Sequence, residues 1–167
     1  MSPRTKEQSW SSTSTRGIDG AVGSVQRTTF PKPVVDRDPA GARKLSDVYW
    51  RELRRSTLGF VRTTLRDDEL EIRLLGRGPA LLRFGPPQQT IDAETVSCSY
   101  PIRGGLLARA PVGSLRFTQE GLGAVAVTSA VEGFLPRLGV LYAPIQSRIH
   151  VALGRRYFSR LRREIRA

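Results

Sequence analysis

The chain has 167 residues, 39% of them hydrophobic and 25% charged, an ordinary globular composition that excludes a collagen-like, fibrous or wholly disordered protein. Its one cysteine, Cys98, excludes an internal disulfide and a cysteine-based structural metal site, and no run of about 18 apolar residues is present to span a bilayer. The net charge of +12 is unevenly placed, with +4 over residues 1–44, +2 over 45–141 and +6 over 142–167. Half of the excess therefore belongs to the last 26 residues. Arginine outnumbers lysine 24 to 3 and asparagine is absent, a skew that a GC-rich genome produces, so the preference for arginine says little about phosphate binding. With Met1–Trp10 lacking an apolar run of signal-peptide length, a cytoplasmic location is the expectation.

Residues 1–42 are rich in Ser, Thr, Gly and Pro and poor in large apolar groups, which predicts a disordered basic tail. Within it, Phe30-Pro31-Lys32-Pro33-Val34-Val35 reads as an extended piece, either a stiff linker lying on the domain or a peptide ligand for a partner. A single domain over 43–167 follows. Leu45, Val48, Tyr49 and Leu53 recur at helical spacing and predict a short helix from about Ser46 to Arg54.

The period then changes to two. Leu58 and Phe60, then Leu70, Ile72 and Leu74, then Ala80, Leu82 and Phe84 alternate with polar residues, with Arg66-Asp67-Asp68-Glu69 and Gly76-Arg77-Gly78-Pro79 as turns. Further strands are expected over 90–102, 113–119 and 123–131. With no helical period between them, the fold class is α+β, an antiparallel β-meander forming a strongly curved or barrel-like sheet. The strand at 123–131 offers Val125, Val127 and Val131 on one face and Ala124, Ala126, Thr128 and Ala130 on the other. The small face suits either a closely packed helix or the wall of a cavity, to which Phe117 and Tyr100 would add aromatic surface.

A long basic helix is predicted at about 143–166. Ile145, Ile149, Ala152 and Leu153 share one face and Tyr157, Phe158, Leu161 and Ile165 another, rotated by roughly 140° at 100° per residue. Gly154 between them predicts a kink or handover, the first half covering the sheet and the second presenting its aromatic face elsewhere. Arg148, Arg155, Arg156, Arg160, Arg162 and Arg163 flank that second face.

Little of the chain points to catalysis. His150 is the only histidine and lacks a neighbouring carboxylate pair, so neither general-base chemistry nor zinc is suggested. Cys98 has no adjacent positive charge to activate it. The acidic group Asp67, Asp68, Glu69, Glu71 lacks calcium-loop spacing, Asp92 and Glu94 fit the exposed end of a strand, and no glycine cluster has the form of a nucleotide loop. No catalytic, cofactor-binding or metal-ligating residue is assigned, no cofactor is expected, and no feature specifies an oligomeric state.

In element order over 45–167 the chain is architecturally similar to START-like helix-grip proteins and lipocalin-like barrels. It lacks the two helices after the first strand of the former and the Gly-x-Trp of the latter. That similarity implies binding of a small hydrophobic or lipid-like ligand in a sheet-plus-helix pocket, which is the leading expectation. A second is peripheral binding of the basic helix to an anionic membrane surface or, less well supported, to nucleic acid. An enzyme using neither metal nor nucleotide ranks last.

Overall fold

The computed structural model describes residues 10–66, 68–137 and 139–166, without side chains over 139–147 and at 166. In chain order it contains β1 (Trp10–Arg16), β2 (Val22–Phe30), α1 (Pro39–Ser56), β3 (Val61–Arg66), β4 (Glu69–Leu74), β5 (Ala80–Phe84), β6 (Gln88–Ile91), β7 (Thr95–Gly104), β8 (Ser114–Glu120), β9 (Val125–Phe134) and α2 (Gly139–Arg166). The α+β class and the antiparallel sheet are as the alternation predicts. The nine strands run β1-β2-β9-β8-β7-β5-β4-β3, with β6 beside the first half of β7, and every pairing is antiparallel. The sheet ends at β1 and β3 and is not a closed barrel.

The expected tail needs correction. Residues 1–9 lie outside the described residues, but from Trp10 onward the chain forms two strands and the beginning of α1. In β2, Gln26, Thr28 and Phe30 face inward and Arg27 and Thr29 outward, paired along β9 from Phe30↔Val125 to Val22↔Phe134. β1 then pairs with β2 alone. Its Ser/Thr composition, which resembles that of a disordered segment, suits an edge strand with one face and one edge in water. Helix α1 likewise starts earlier than expected, at Pro39. Asp38 caps it, its carboxylate accepting from the Gly41 N–H at 2.6 Å, and proline occupies the first helical turn, where a missing N–H costs nothing.

Both helices lie on one face of the sheet. Alternation along the strands puts Thr28, Val127, Phe117, Cys98 and Phe84 on that face, and α1 covers it with Leu45, Val48, Tyr49 and Trp50, all buried. Helix α2 is continuous, with no handover at Gly154. Leu153, Tyr157, Phe158 and Leu161 form one buried stripe, whereas Ile149 and Ala152 are exposed; the Ile145 side chain lies outside the described residues. Gly154 serves close packing instead, since a Cβ there would overlap the Gln26 side-chain amide, whose Nε2 donates to the His150 carbonyl at 2.8 Å. Glu164, the one acid of the last 26 residues, joins the helices: Lys44 and Arg51 of α1 approach it at 3.7 and 3.4 Å, and Arg160 of α2 at 3.4 Å.

The Pro-rich piece between β2 and α1 is bound to the domain by one fully buried amide. Gln119 Oε1 accepts from the N–H groups of Val34 and Val35 at 2.7 and 3.1 Å, and its Nε2 donates to the Val35 carbonyl at 2.9 Å. This segment is thus a linker lying on the domain. Replacing Gln119 by Leu strips three backbone groups of their partner and is expected to cost about 2–4 kcal/mol. Urea unfolding of the two chains measures the difference, and a change below about 1 kcal/mol would show that water replaces the amide.

Candidate functional site

Between the two helices and the sheet, the core is incompletely filled. A cavity of about 300 Å3 remains there. Helix α1 contributes Tyr49, Trp50 and Leu53, and α2 contributes Ile149, His150 and Leu153. The sheet supplies Ile72, Leu82, Phe84, Ile102, Leu115, Val131 and Phe134, with Thr57, Val61, Leu81 and Leu107 closing the sides. Among the described residues, six of the ten partly buried apolar residues packed against the core (Leu53, Val61, Leu81, Leu82, Leu107, Val131) line this one space, so the exposed part of the described core is concentrated around it. The local cause is alternation: Ile72 on β4 and Leu82 on β5 are cross-strand partners, and Phe84 opposes Ile102, which aligns four apolar side chains on one face.

No charged side chain lines the cavity among the described residues. The polar groups are few. Thr57 Oγ1 is engaged locally, donating to the Leu53 carbonyl at 2.9 Å and accepting from the Val61 N–H at 3.2 Å. His150 is held half-buried at the α2 wall, and burial pushes its pKa down to about 4, so the imidazole is neutral at physiological pH. Burial raises the Tyr49 phenol well above its ordinary value. The cavity is therefore uncharged, and it can accommodate apolar groups but offers no ion partner.

Of the residues expected to form a pocket, Phe117 and Tyr100 lie on the inner face but are packed in the core beside the cavity. Phe117 meets Tyr49, Trp50 and Tyr157, and the Tyr100 hydroxyl shares a 2.9 Å hydrogen bond with Ser46 Oγ under α1. Ala126, Thr128 and Ala130 fall on the opposite, outer face of β9, and Ala124 is exposed in the preceding turn. It is the valine face that points inward, and Val131 is the member of β9 that reaches the cavity with Phe134.

The arginines expected to meet an anionic surface separate into two groups. Arg148, Arg155, Arg156 and Arg163 are exposed, with Arg155 stacked over the Trp10 ring at 4.9 Å, while Arg160 and Arg162 are half-buried. The apolar groups they flank are unavailable, because Tyr157, Phe158 and Leu161 are at most 2% exposed. Sequence periodicity missed the cavity for a definable reason. Its walls come from α1, α2 and six strands far apart in sequence, and the only local signal was the apolar face of each.

Cys98 is buried, and desolvation pushes its thiol up, away from the reactive thiolate. Asp92 caps a turn, its Oδ1 accepting from the Glu94 and Thr95 N–H groups at 2.9 and 2.7 Å. Among the described residues no three His, Cys, Asp or Glu side chains converge as metal ligands, and no helix is long and apolar enough to cross a membrane.

These features define an α+β sheet-plus-helix domain with an uncharged apolar cavity. No protein-family model matches the sequence. No curated protein matches it either. Two solved structures of CalU16 from Micromonospora echinospora are similar to it: the solution structure at 11% identity and a TM-score of 0.43, covering 94% of this chain and 76% of that one, and the crystal structure at 10% identity and 0.40, covering 95% and 91%.

The His150 shift has a consequence for stability. Its folded-state pKa of about 4 lies below the ordinary 6.5, so the unfolded chain binds the proton more readily, and stability falls as pH drops from about 6.5 to about 4. The expected loss over that window is about 2–3 kcal/mol relative to a His150→Gln chain. Parallel urea titrations at several pH values read it, and identical pH profiles for the two chains would contradict it.

Proposed function

We propose that this domain binds a small uncharged hydrophobic or lipid-like molecule in the cavity between the sheet and its two helices. One observation carries the reading: a space of about 300 Å3 whose lining combines apolar side chains from both helices and the sheet with no charge among the described residues. Small-molecule sites span about 300–1,000 Å3 and are predominantly apolar with a few polar groups, and this cavity falls at the lower end of that range. A soluble domain that leaves such a space unfilled forgoes core packing, a loss that a ligand can offset. The neutral His150 imidazole on the α2 wall supplies a polar group for orientation. Membrane binding through the C-terminal helix is less well supported, because an interfacial helix needs a free apolar face and Tyr157, Phe158 and Leu161 are committed to the core.

Trp50 lines the cavity and Trp10 does not, so a Trp10→Phe chain reports on the site through a single indole. Saturable quenching or enhancement of its emission by 1-decanol is expected. Decanoate should bind about tenfold more weakly or worse, since its carboxylate would be desolvated without a partner. Filling the space with Val131→Phe and Leu82→Phe together should weaken decanol binding by about tenfold or more while circular dichroism stays unchanged. A flat titration, or equal affinity in the filled chain, excludes the reading.

A further inference from the structure

The outer face of the β4–β5 arm carries a second concavity of about 480 Å3, on the other side of the sheet from the apolar cavity. Strand alternation produces it. Ile72 and Leu82 face the core, so the adjoining cross-strand pair, Glu71 and Arg83, projects outward together with Arg73. The chain after β7 forms one rim. Gly105, at φ +120, lies so close to the Leu81 and Leu82 backbone that a side chain there would collide with it, and the Leu106 and Leu107 N–H groups donate to the Ala80 and Leu81 carbonyls, both at 3.0 Å. Two further backbone bonds, Arg109 N–H to the Leu135 carbonyl at 2.8 Å and Arg137 N–H to the Leu107 carbonyl at 2.9 Å, tie this rim to the end of β9. Arg109 and Arg137 are thereby anchored beside Arg83.

Among the described residues, four arginines line this depression against a single acid, Glu71. That carboxylate is already committed. Glu71 is 6% exposed, and its Oε2 accepts from Arg73 Nε at 2.7 Å and lies 2.6 Å from Arg73 Nη2; Arg73 Nη1 also donates to the Gly78 carbonyl. Arg137 Nη2 donates to the Ala108 carbonyl at 3.3 Å. Arg83 and Arg109 are exposed, and no carboxylate pairs with either among the described residues. Cations spread over a convex surface are screened by water, but those gathered in a concavity repel one another and focus a positive potential into it. An anion relieves both effects. The flat guanidinium fork matches the oxygens of a phosphate better than those of any other common group except a carboxylate.

We propose that this concavity binds a phosphate-type oxyanion, carried on a small phosphoester or on a lipid headgroup, with Arg83 and Arg109 as its direct partners. Arg137 lies beside them, and the Arg73–Glu71 pair forms the floor. The site is separate from the apolar cavity, and neither depends on occupation of the other.

The test titrates the full chain at low and high NaCl with inorganic pyrophosphate in one arm. In a second arm it uses phosphatidylcholine vesicles with and without phosphatidic acid. An Arg83→Gln/Arg109→Gln chain is compared with an Arg148→Gln/Arg156→Gln chain, which removes the same charge from the solvent face of α2. All four side chains are exposed, so both variants are expected to unfold at the wild-type urea midpoint. The site variant should lose about tenfold in affinity or more, and the control about twofold or less. Pyrophosphate binding that depends on Arg83 and Arg109 supports a free phosphoester, and phosphatidic-acid-dependent vesicle binding with the same dependence supports a headgroup. No binding in either arm at low salt overturns the proposal, as does an equal loss in both variants.

Discussion

The ring of Phe117 is the point at which three separate parts of the chain meet. It is fully buried at the centre of the sheet, with Tyr49 at 4.8 Å and Trp50 at 6.2 Å from α1, and Tyr157 at 5.9 Å from α2. Tyr49 and Tyr157 also meet each other at 5.7 Å. Each such side chain contributes about 1.5–3 kcal/mol by burial, and each favourable ring pair about 0.5–1.5 kcal/mol more. Because α1 and α2 both reach Phe117, neither helix can shift without disturbing the other. The ion pairs at Glu164 and the Gln26 bond to the His150 carbonyl then orient α2 along its length.

Anchoring both helices over Phe117 also determines where packing fails. Toward β4, β5 and the end of β9, the space between the helices and Ile72, Leu82 and Phe134 of the sheet is left unfilled. The resulting space is walled by groups that carry no charge at neutral pH. Its neutrality comes from its position: a half-buried imidazole loses its proton and a buried phenol keeps its own. Apolar cavity and arginine-lined concavity thus occupy opposite faces of the same strands, because successive residues of a strand point to opposite sides. Glu71 with Arg73, and Ile72 between them, are the clearest instance.

The basic character of the C-terminal helix has a simple structural counterpart. Its buried stripe is narrow and fully used, which leaves a broad face for Arg148, Arg155, Arg156 and Arg163. Such a face keeps the helix in water and raises the positive potential of the whole molecule without supplying an apolar anchor.

The sequence by itself determined the class of fold. Period-two alternation with turn residues specified the antiparallel strands β4, β5, β7, β8 and β9, though not the separate short β6, and the spacing of Leu45, Val48, Tyr49 and Leu53 specified a helix, because these signals lie within a few residues of one another. The first two turns of α1, from Pro39, fall outside the helix that this spacing predicts, which begins near Ser46. Tertiary structure alone decided that the Ser/Thr-rich segments 10–16 and 22–30 are strands, since β2 takes its order from β9, about a hundred residues away, and the edge strand β1 takes its order from β2, not from its own hydrophobicity. It decided that one face of α2 runs unbroken through Gly154, where the glycine admits Gln26 and does not bend the helix. It decided, finally, which face of β9 points inward. Either face is apolar enough to be buried, and the choice fell to the valines because they share the side that carries Phe117 of β8, over which α1 and α2 pack.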